Sequence, residues 1–144
     1  MTALHTPKAP DIIKSNTIKI AAAMICNDQG KVLLVRKRGT SFFMQAGGKI
    51  EQGEDPLVTL ERELQEELSF VIVEEDCRYL GKFSAKAANE ENAMVEAEIY
   101  HIKSNLKVTA QSEIEQLIWI DPRNLGSLKV APLTRKLLEA DVMT

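Results

Sequence analysis

The chain has 144 residues, 44% apolar and 27% charged, the balance of one globular domain large enough to bury its own core. No apolar run approaches the roughly 20 residues needed to span a bilayer, and the opening MTALHTPKAPDIIKSN lacks the basic start and apolar centre of a secretion signal. The formal net charge of −3 excludes little by itself, and two cysteines, Cys26 and Cys77, make no disulfide framework, so they are expected to be reduced thiols in a cytoplasmic protein.

Residues 1–16 contain two prolines and little periodicity, and are expected to form a flexible arm before a single domain over 17–144. TIKIAAAMIC (17–26) reads as a strand. Asn27-Asp28-Gln29-Gly30 is turn chemistry, and KVLLVRKR (31–38) reads as the returning strand of a hairpin. Residues 39–45 read as a loop leading into a short strand, and Ala46-Gly47-Gly48 is expected to break regularity. A polar loop over 49–54 leads to Asp55-Pro56. This is a helix start, because Asp caps free amides and Pro suits the first helical position. The helix should run to about Leu68. FVIVEED (70–76), the segment 78–85 and AMVEAEIYHI (93–102) are strand-like, and LIWID (117–121) reads as a short buried strand. Pro132 to about Val142 reads as a second helix with Leu133, Leu137 and Ala140 on one stripe. Several strands with two helices predict an α+β domain, layered as an α/β/α sandwich.

Charge is unevenly distributed. Seven acids (Glu51, Glu54, Asp55, Glu61, Glu63, Glu66 and Glu67) and one base, Arg62, fall between Glu51 and Glu67. That is a poor surface for bulk nucleic acid and a reasonable one for a divalent cation with a small phosphate ligand. On a helical wheel at ~100° per residue, with Glu63 as zero, Glu66 falls near ~300° and Glu67 near ~40°. The leucines 57, 60, 64 and 68 fall between ~60° and ~140°. The three glutamates thus flank the apolar stripe that docks the helix. A solvated acidic face is the ordinary meaning of such a run. Like charges at Glu63 and Glu67 cost only about 0.2–0.5 kcal/mol, too little to decide. Paired glycines one loop upstream, which let backbone approach a ligand, and clustered hard oxygen donors suited to Mg²⁺ or Mn²⁺ favour a metal site.

Gly48, then Glu54, then Arg62-Glu63-Leu64, Glu66-Glu67 and Phe70 stand at spacings that resemble the Nudix box of the MutT-like hydrolases. Ser69 stands where the family usually has glycine, and Ala46 where proline is frequent before the glycine pair. The resemblance implies a Nudix fold with a mixed central sheet and Mg²⁺- or Mn²⁺-dependent hydrolysis of a diphosphate linkage. It implies Glu63 and Glu67 as principal metal ligands, Glu66 as ligand or base, and Gly48 as a carbonyl ligand. Arg62 then orients a carboxylate, with Glu54 or Glu66 as partner.

The general base is expected at Glu66 or Glu113, with Glu115, Glu96 and Glu98 as further candidates. Arg36 and Arg38, on one face of their strand by period 2, and Phe43 are candidate substrate contacts, with edge solubility and core packing as the competing roles. Trp119 reads as core. The implied partner is a small nucleotide, with no nucleic-acid polymer and no membrane, and a homodimer is left open. By elimination of other family motifs the substrate leans to nucleoside triphosphates, oxidised ones included. ADP-ribose or another nucleoside diphosphate derivative is the alternative, and a non-catalytic nucleotide-binding module is the competing class.

Overall fold

A computed structural model of the chain describes residues 16–105 and 107–140. The arm expected over 1–16 lies outside these residues but for Asn16, and the last helix, expected to reach about Val142, ends at Glu139 with Ala140 as its cap. Strand β1 (Thr17–Cys26) turns at Asn27, whose Oδ1 accepts from the amides of Gln29 and Lys31, both at 3.0 Å. Strand β2 (Val32–Lys37) returns antiparallel.

The expected hairpin forms only at its base, where Cys26 pairs with Val32. Farther along, strand β3 (Ala46–Lys49) takes the edge of β1, from Ile20↔Lys49 to Ala23↔Ala46. Val35 and Met44 exchange backbone hydrogen bonds of 2.8 Å, so this segment wedges β1 and β2 apart. The glycine pair expected to break regularity therefore lies inside a strand. The reason is the close approach of backbones. A Cβ on Gly47 would stand 2.2 Å from the Ala21 carbonyl oxygen and 2.6 Å from Ala22 Cα.

Strands β4 (Cys77–Lys86) and β5 (Met94–Lys103) pair antiparallel, and β5 runs parallel to β1 along its full length. Strand β6 (Ile114–Ile120) pairs with the outer edge of β2 and begins earlier than the apolar run LIWID suggests. The result is a mixed six-stranded sheet, β4-β5-β1-β2-β6, with β3 on β1. The segment 70–76 is not a strand. Phe70 is buried, Val71 and Val73 are exposed, and Glu74–Asp76 form one 3₁₀ turn. Its alternation finds no neighbouring strand to supply a ladder.

Period 2 in β1 divides the core. Ala21, Ala23 and Ile25 pack with Leu33, Val35, Leu60, Leu64 and Leu68 beneath helix α1 (Pro56–Leu68). Ala22 and Met24 pack with Leu34, Ile99, Leu133 and Leu137 beneath helix α2 (Pro132–Glu139). This is the α/β/α sandwich expected of the sequence. No helix among the described residues is long and apolar enough to cross a membrane.

Asp55 caps α1 as expected, its Oδ1 accepting from the Leu57 amide at 2.9 Å. The helix ends at Ser69, in the left-handed conformation at φ 52°, with its amide on the Gln65 carbonyl and the Phe70 amide on the Leu64 carbonyl. A side chain there costs roughly 1–2 kcal/mol, set against about 0.4–1 kcal/mol of unfolded-state freedom that glycine would restore. Ser69→Gly should therefore raise stability by less than about 1 kcal/mol, read as a small upward shift in Tm. A fall in Tm would mean that the hydrogen bond from Gln111 Nε2 to Ser69 Oγ outweighs the strain.

Candidate active site

The wheel positions of α1 become a gradient of burial. Glu67, beside the leucine stripe, is 2% exposed; Glu63 is half-buried; Glu66 faces solvent. Glu63 lies against β3 so closely that a Cβ on Gly48 would stand 2.3 Å from its carboxyl carbon. Only glycine lets α1 and β3 meet there with a carboxylate between them.

Arg62 holds this arrangement from the outer side. Its Nη1 donates to Glu63 Oε2 at 2.7 Å, and its Nη2 and Nε donate to Glu54 at 2.9 and 3.3 Å. Glu54 also accepts from Thr59 Oγ1 at 2.6 Å. The Arg62 hydrogen bond, helped by Thr59, lowers the Glu54 carboxyl to about 2. Of the partners weighed for Arg62, Glu54 is found and Glu66 is not; Glu63 is an additional one.

Glu67 is the unusual group. Both carboxylate oxygens are buried and neither has a hydrogen-bond partner of ordinary geometry, the Gly47 backbone N–H being near enough only for a weak opposing contribution. Burial raises its carboxyl to about 7, opposed by the charge of Lys37 and reinforced by Glu63 and Glu113. Burial likewise raises Glu63, with Arg62 opposing and Glu66 adding to the effect. A buried carboxylate without donors costs several kcal/mol when ionised. The chemistry that satisfies it is a hard cation, and the half-buried Glu63 beside it supplies a second set of oxygens. Gly48 packs against Glu63. The carboxylates of Glu63 and Glu67 therefore fit a divalent ion, with Gly48 beside them as the family pattern implies. Glu66 does not converge with them. Among the described residues no three His, Cys, Asp or Glu side chains come together.

Lys37 was not anticipated. Its Nζ stands 3.9 Å from Glu67 Oε2 and 3.4 Å from Glu113 Oε1. The signal was present, since period 2 puts Lys37 on the face of Leu33 and Val35, which is the face that α1 covers. Glu113 is brought there because the Thr109 and Gln111 amides bind the carbonyls of Leu68 and Glu67 at the end of α1, and the Arg38 amide binds the Glu113 carbonyl at 2.8 Å.

The other candidates fall elsewhere. Glu115 accepts from Arg36 Nη1 at 2.9 Å. Glu96 and Glu98 pair with Lys82, both at 3.7 Å, on the β4–β5 surface. Arg36 donates to the Thr40 carbonyl and Gln116 as well and lies over the Phe43 ring, so its guanidinium is occupied within the fold. Arg38 lies past the end of β2 and is exposed. The irregularity there lies on β6, which skips Glu115 between the pairs Arg36↔Gln116 and Lys37↔Ile114, and Arg38 falls beyond the last paired residue of β2. Phe43 is buried in the core beneath α2, and Trp119 packs against the core beneath α1.

Residues 17–140, which hold both the sheet and this carboxylate pair, match the NUDIX domain. The chain belongs to the Nudix family. It is 29% identical over 128 residues to a CTP pyrophosphohydrolase of Escherichia coli (strain K12), covering 85% of this chain and 90% of that protein. It is similar in fold to a MutT protein from Methanosarcina mazei Go1 (TM-score 0.73, 21% identity, covering 86% of this chain and 91% of that one). A MutT/nudix family protein from Enterococcus faecalis matches with TM-score 0.69 and 18% identity over 86% of this chain, which spans only 60% of that longer protein. Nudix hydrolases are pyrophosphohydrolases of phosphoric anhydrides in nucleotide derivatives and generally use divalent cations.

Two tests follow from the geometry. Gly47→Ala meets backbone and should destabilise the fold by about 1–3 kcal/mol. Gly48→Ala meets only the mobile end of Glu63; it should fold and lose about 10–100-fold in turnover through the displaced carboxylate. A Gly48→Ala enzyme with parental turnover would separate Glu63 from the reaction. In the chelated protein Glu67 releases its proton near 4.5 when unfolded and near 7 when folded. The folded state then binds more protons between those values, so stability should fall as pH rises through that window. Glu67→Gln should flatten this dependence in pH-resolved thermal melts, and an unchanged slope would place its origin elsewhere.

Proposed function

We propose that the chain hydrolyses a nucleoside triphosphate to the monophosphate and pyrophosphate, with oxidised triphosphates within its range. The observation that carries the reading is the buried Glu67, without a hydrogen-bond partner of ordinary geometry, beside Glu63 and Gly48. The similarity to a CTP pyrophosphohydrolase over most of both chains supports triphosphates as the class.

Glu63, Glu67 and the Gly48 carbonyl hold the cation, with Glu66 at the exposed edge. When bound, the cation neutralises phosphate charge and makes water a better nucleophile near neutral pH. Arg62 fixes Glu63 through a charge-assisted hydrogen bond while Glu54 fixes Arg62. Lys37 places a positive charge beside the carboxylates, where phosphate oxygens also need one. Glu113, exposed and next to Lys37, is the residue we assign to accept the proton of the attacking water, with Glu66 as the alternative.

Turnover of triphosphates should vanish with chelator and return with Mg²⁺ or Mn²⁺. Arg62→Ala should lower it about 10–100-fold. Glu67→Gln should lower it further and abolish the rise in Tm that Mg²⁺ gives the parent by mass action. Undiminished hydrolysis in excess chelator, or a Glu67→Gln protein still stabilised by Mg²⁺ and fully active, would overturn the reading.

A further inference from the structure

The core beneath α2 is apolar except at one place. Gln45, 5% exposed, and Thr134, fully buried, are joined by a hydrogen bond in which Thr134 Oγ1 donates to Gln45 Oε1 at 2.5 Å. The bond ties the residue before β3 to the first turn of α2. It satisfies the threonine donor and one side of the carboxamide, as buried polar groups require. It does not satisfy the other side. Gln45 Nε2 makes no hydrogen bond among the described residues, and Gln45 lines a cavity.

That cavity is about 160 Å³, walled by Ile18, Ile20, Ala22 and Leu133. An apolar cavity of about 150 Å³ admits one benzene ring. This one therefore seats a single six-membered ring, with its mouth open to solvent. Lys37, Gly47 and Gly48 line it as well, as do Lys86, Asn89 and Glu90. Lys37 stands against Glu67, and Gly48 against Glu63. Through Lys37 and Gly48 the cavity adjoins the carboxylate pair, so a ligand with its ring at Gln45 would have its charged part near them.

We infer that Gln45, oriented by Thr134, is the specificity-determining residue of the site and selects a pyrimidine base that turns ring acceptors toward it. The inference rests on the triphosphate reading and adds the base. With its oxygen held by Thr134, the carboxamide presents N–H donors to the cavity. Cytosine offers adjacent acceptors at O2 and N3, whereas uracil turns a donor at N3 to the same donors and leaves only its exocyclic oxygens to accept; a purine fills the ring space less closely. A site built to hydrogen-bond one edge rejects an analogue that leaves its donor unpaired.

The test is steady-state hydrolysis of CTP, UTP, ATP and GTP with Mg²⁺, beside thermal melts with CMP, UMP and AMP. The parent should favour CTP by about tenfold or more in kcat/KM, and CMP should raise Tm more than UMP or AMP. Gln45→Glu replaces the donors with acceptors and should remove the CTP preference mainly through KM. Thr134→Val frees the carboxamide and should weaken the preference, while Thr134→Ser should restore it. A purely structural role would shift all four nucleotides alike, which overturns the inference. So would a parent without preference, or Gln45→Glu and Thr134→Val variants that keep it. If no triphosphate is hydrolysed, the function proposed above fails, and the melts still decide for this cavity. Stabilisation by CMP over AMP that is lost in Thr134→Val supports the base pocket, and equal effects overturn it.

Discussion

The site depends on how closely the Gly47–Gly48 backbone is pressed between β1 and α1. On one side Gly47 meets Ala21 and Ala22 at distances that leave no room for a Cβ; on the other, Gly48 meets the Glu63 carboxyl. This contact sets the height of α1 above the sheet. It thereby sets how deep each carboxylate on that helix lies. The small residues Ala21, Ala22 and Ala23 of β1 make the approach possible, because larger side chains would hold β3 and α1 away.

A second constraint follows from the first. Docking the leucine stripe of α1 carries Glu67 into the interior, and its neighbour Glu63 part of the way. Hydrophobic burial of Leu60, Leu64 and Leu68 contributes roughly 1.5–3 kcal/mol each, enough to carry an unfavourable carboxylate with them. The fold answers the charge at the periphery, with Arg62 clamped between Glu54 and Glu63 and Lys37 set between Glu67 and Glu113. It leaves the Glu67 oxygens themselves without a hydrogen-bond partner of ordinary geometry. Local stability is given up at the point where a cation and phosphate would restore it, a pattern expected of a functional site rather than of a solvated acidic face.

The same wedge opens the other face of the sheet. With β3 between them, β1 and β2 separate, and the cavity at Gln45 lies along the seam. Lys37 and Gly48 belong both to that cavity and to the carboxylate site.

Much of this was legible in the residues. The bounds of β1 and α1, the Asp55 cap and the closeness of Glu63 and Glu67 all follow from local rules, because capping and periodicity act over a few residues; the left-handed end at Ser69, where serine stands for the usual glycine, is a finding of the structure. The Gly48-to-Phe70 spacing identified the family for the same reason: its residues share one helix, the adjoining loop and the short strand that leads into it. What needed the tertiary structure was everything set by distant partners. FVIVEED has strand-like alternation and no neighbour to pair with. The glycine pair reads as a break and is a strand, because β1 supplies its ladder. Glu66 shares a wheel face with Glu67 but not its burial, since that depends on where α1 rests on the sheet. Arg36 is taken up by Glu115 and Gln116 while Arg38 lies past the end of β2, Lys37 turns to Glu67, and Gln45 finds Thr134 from 89 residues away. Such contacts depend on register and packing, which a single chain's periodicity does not encode.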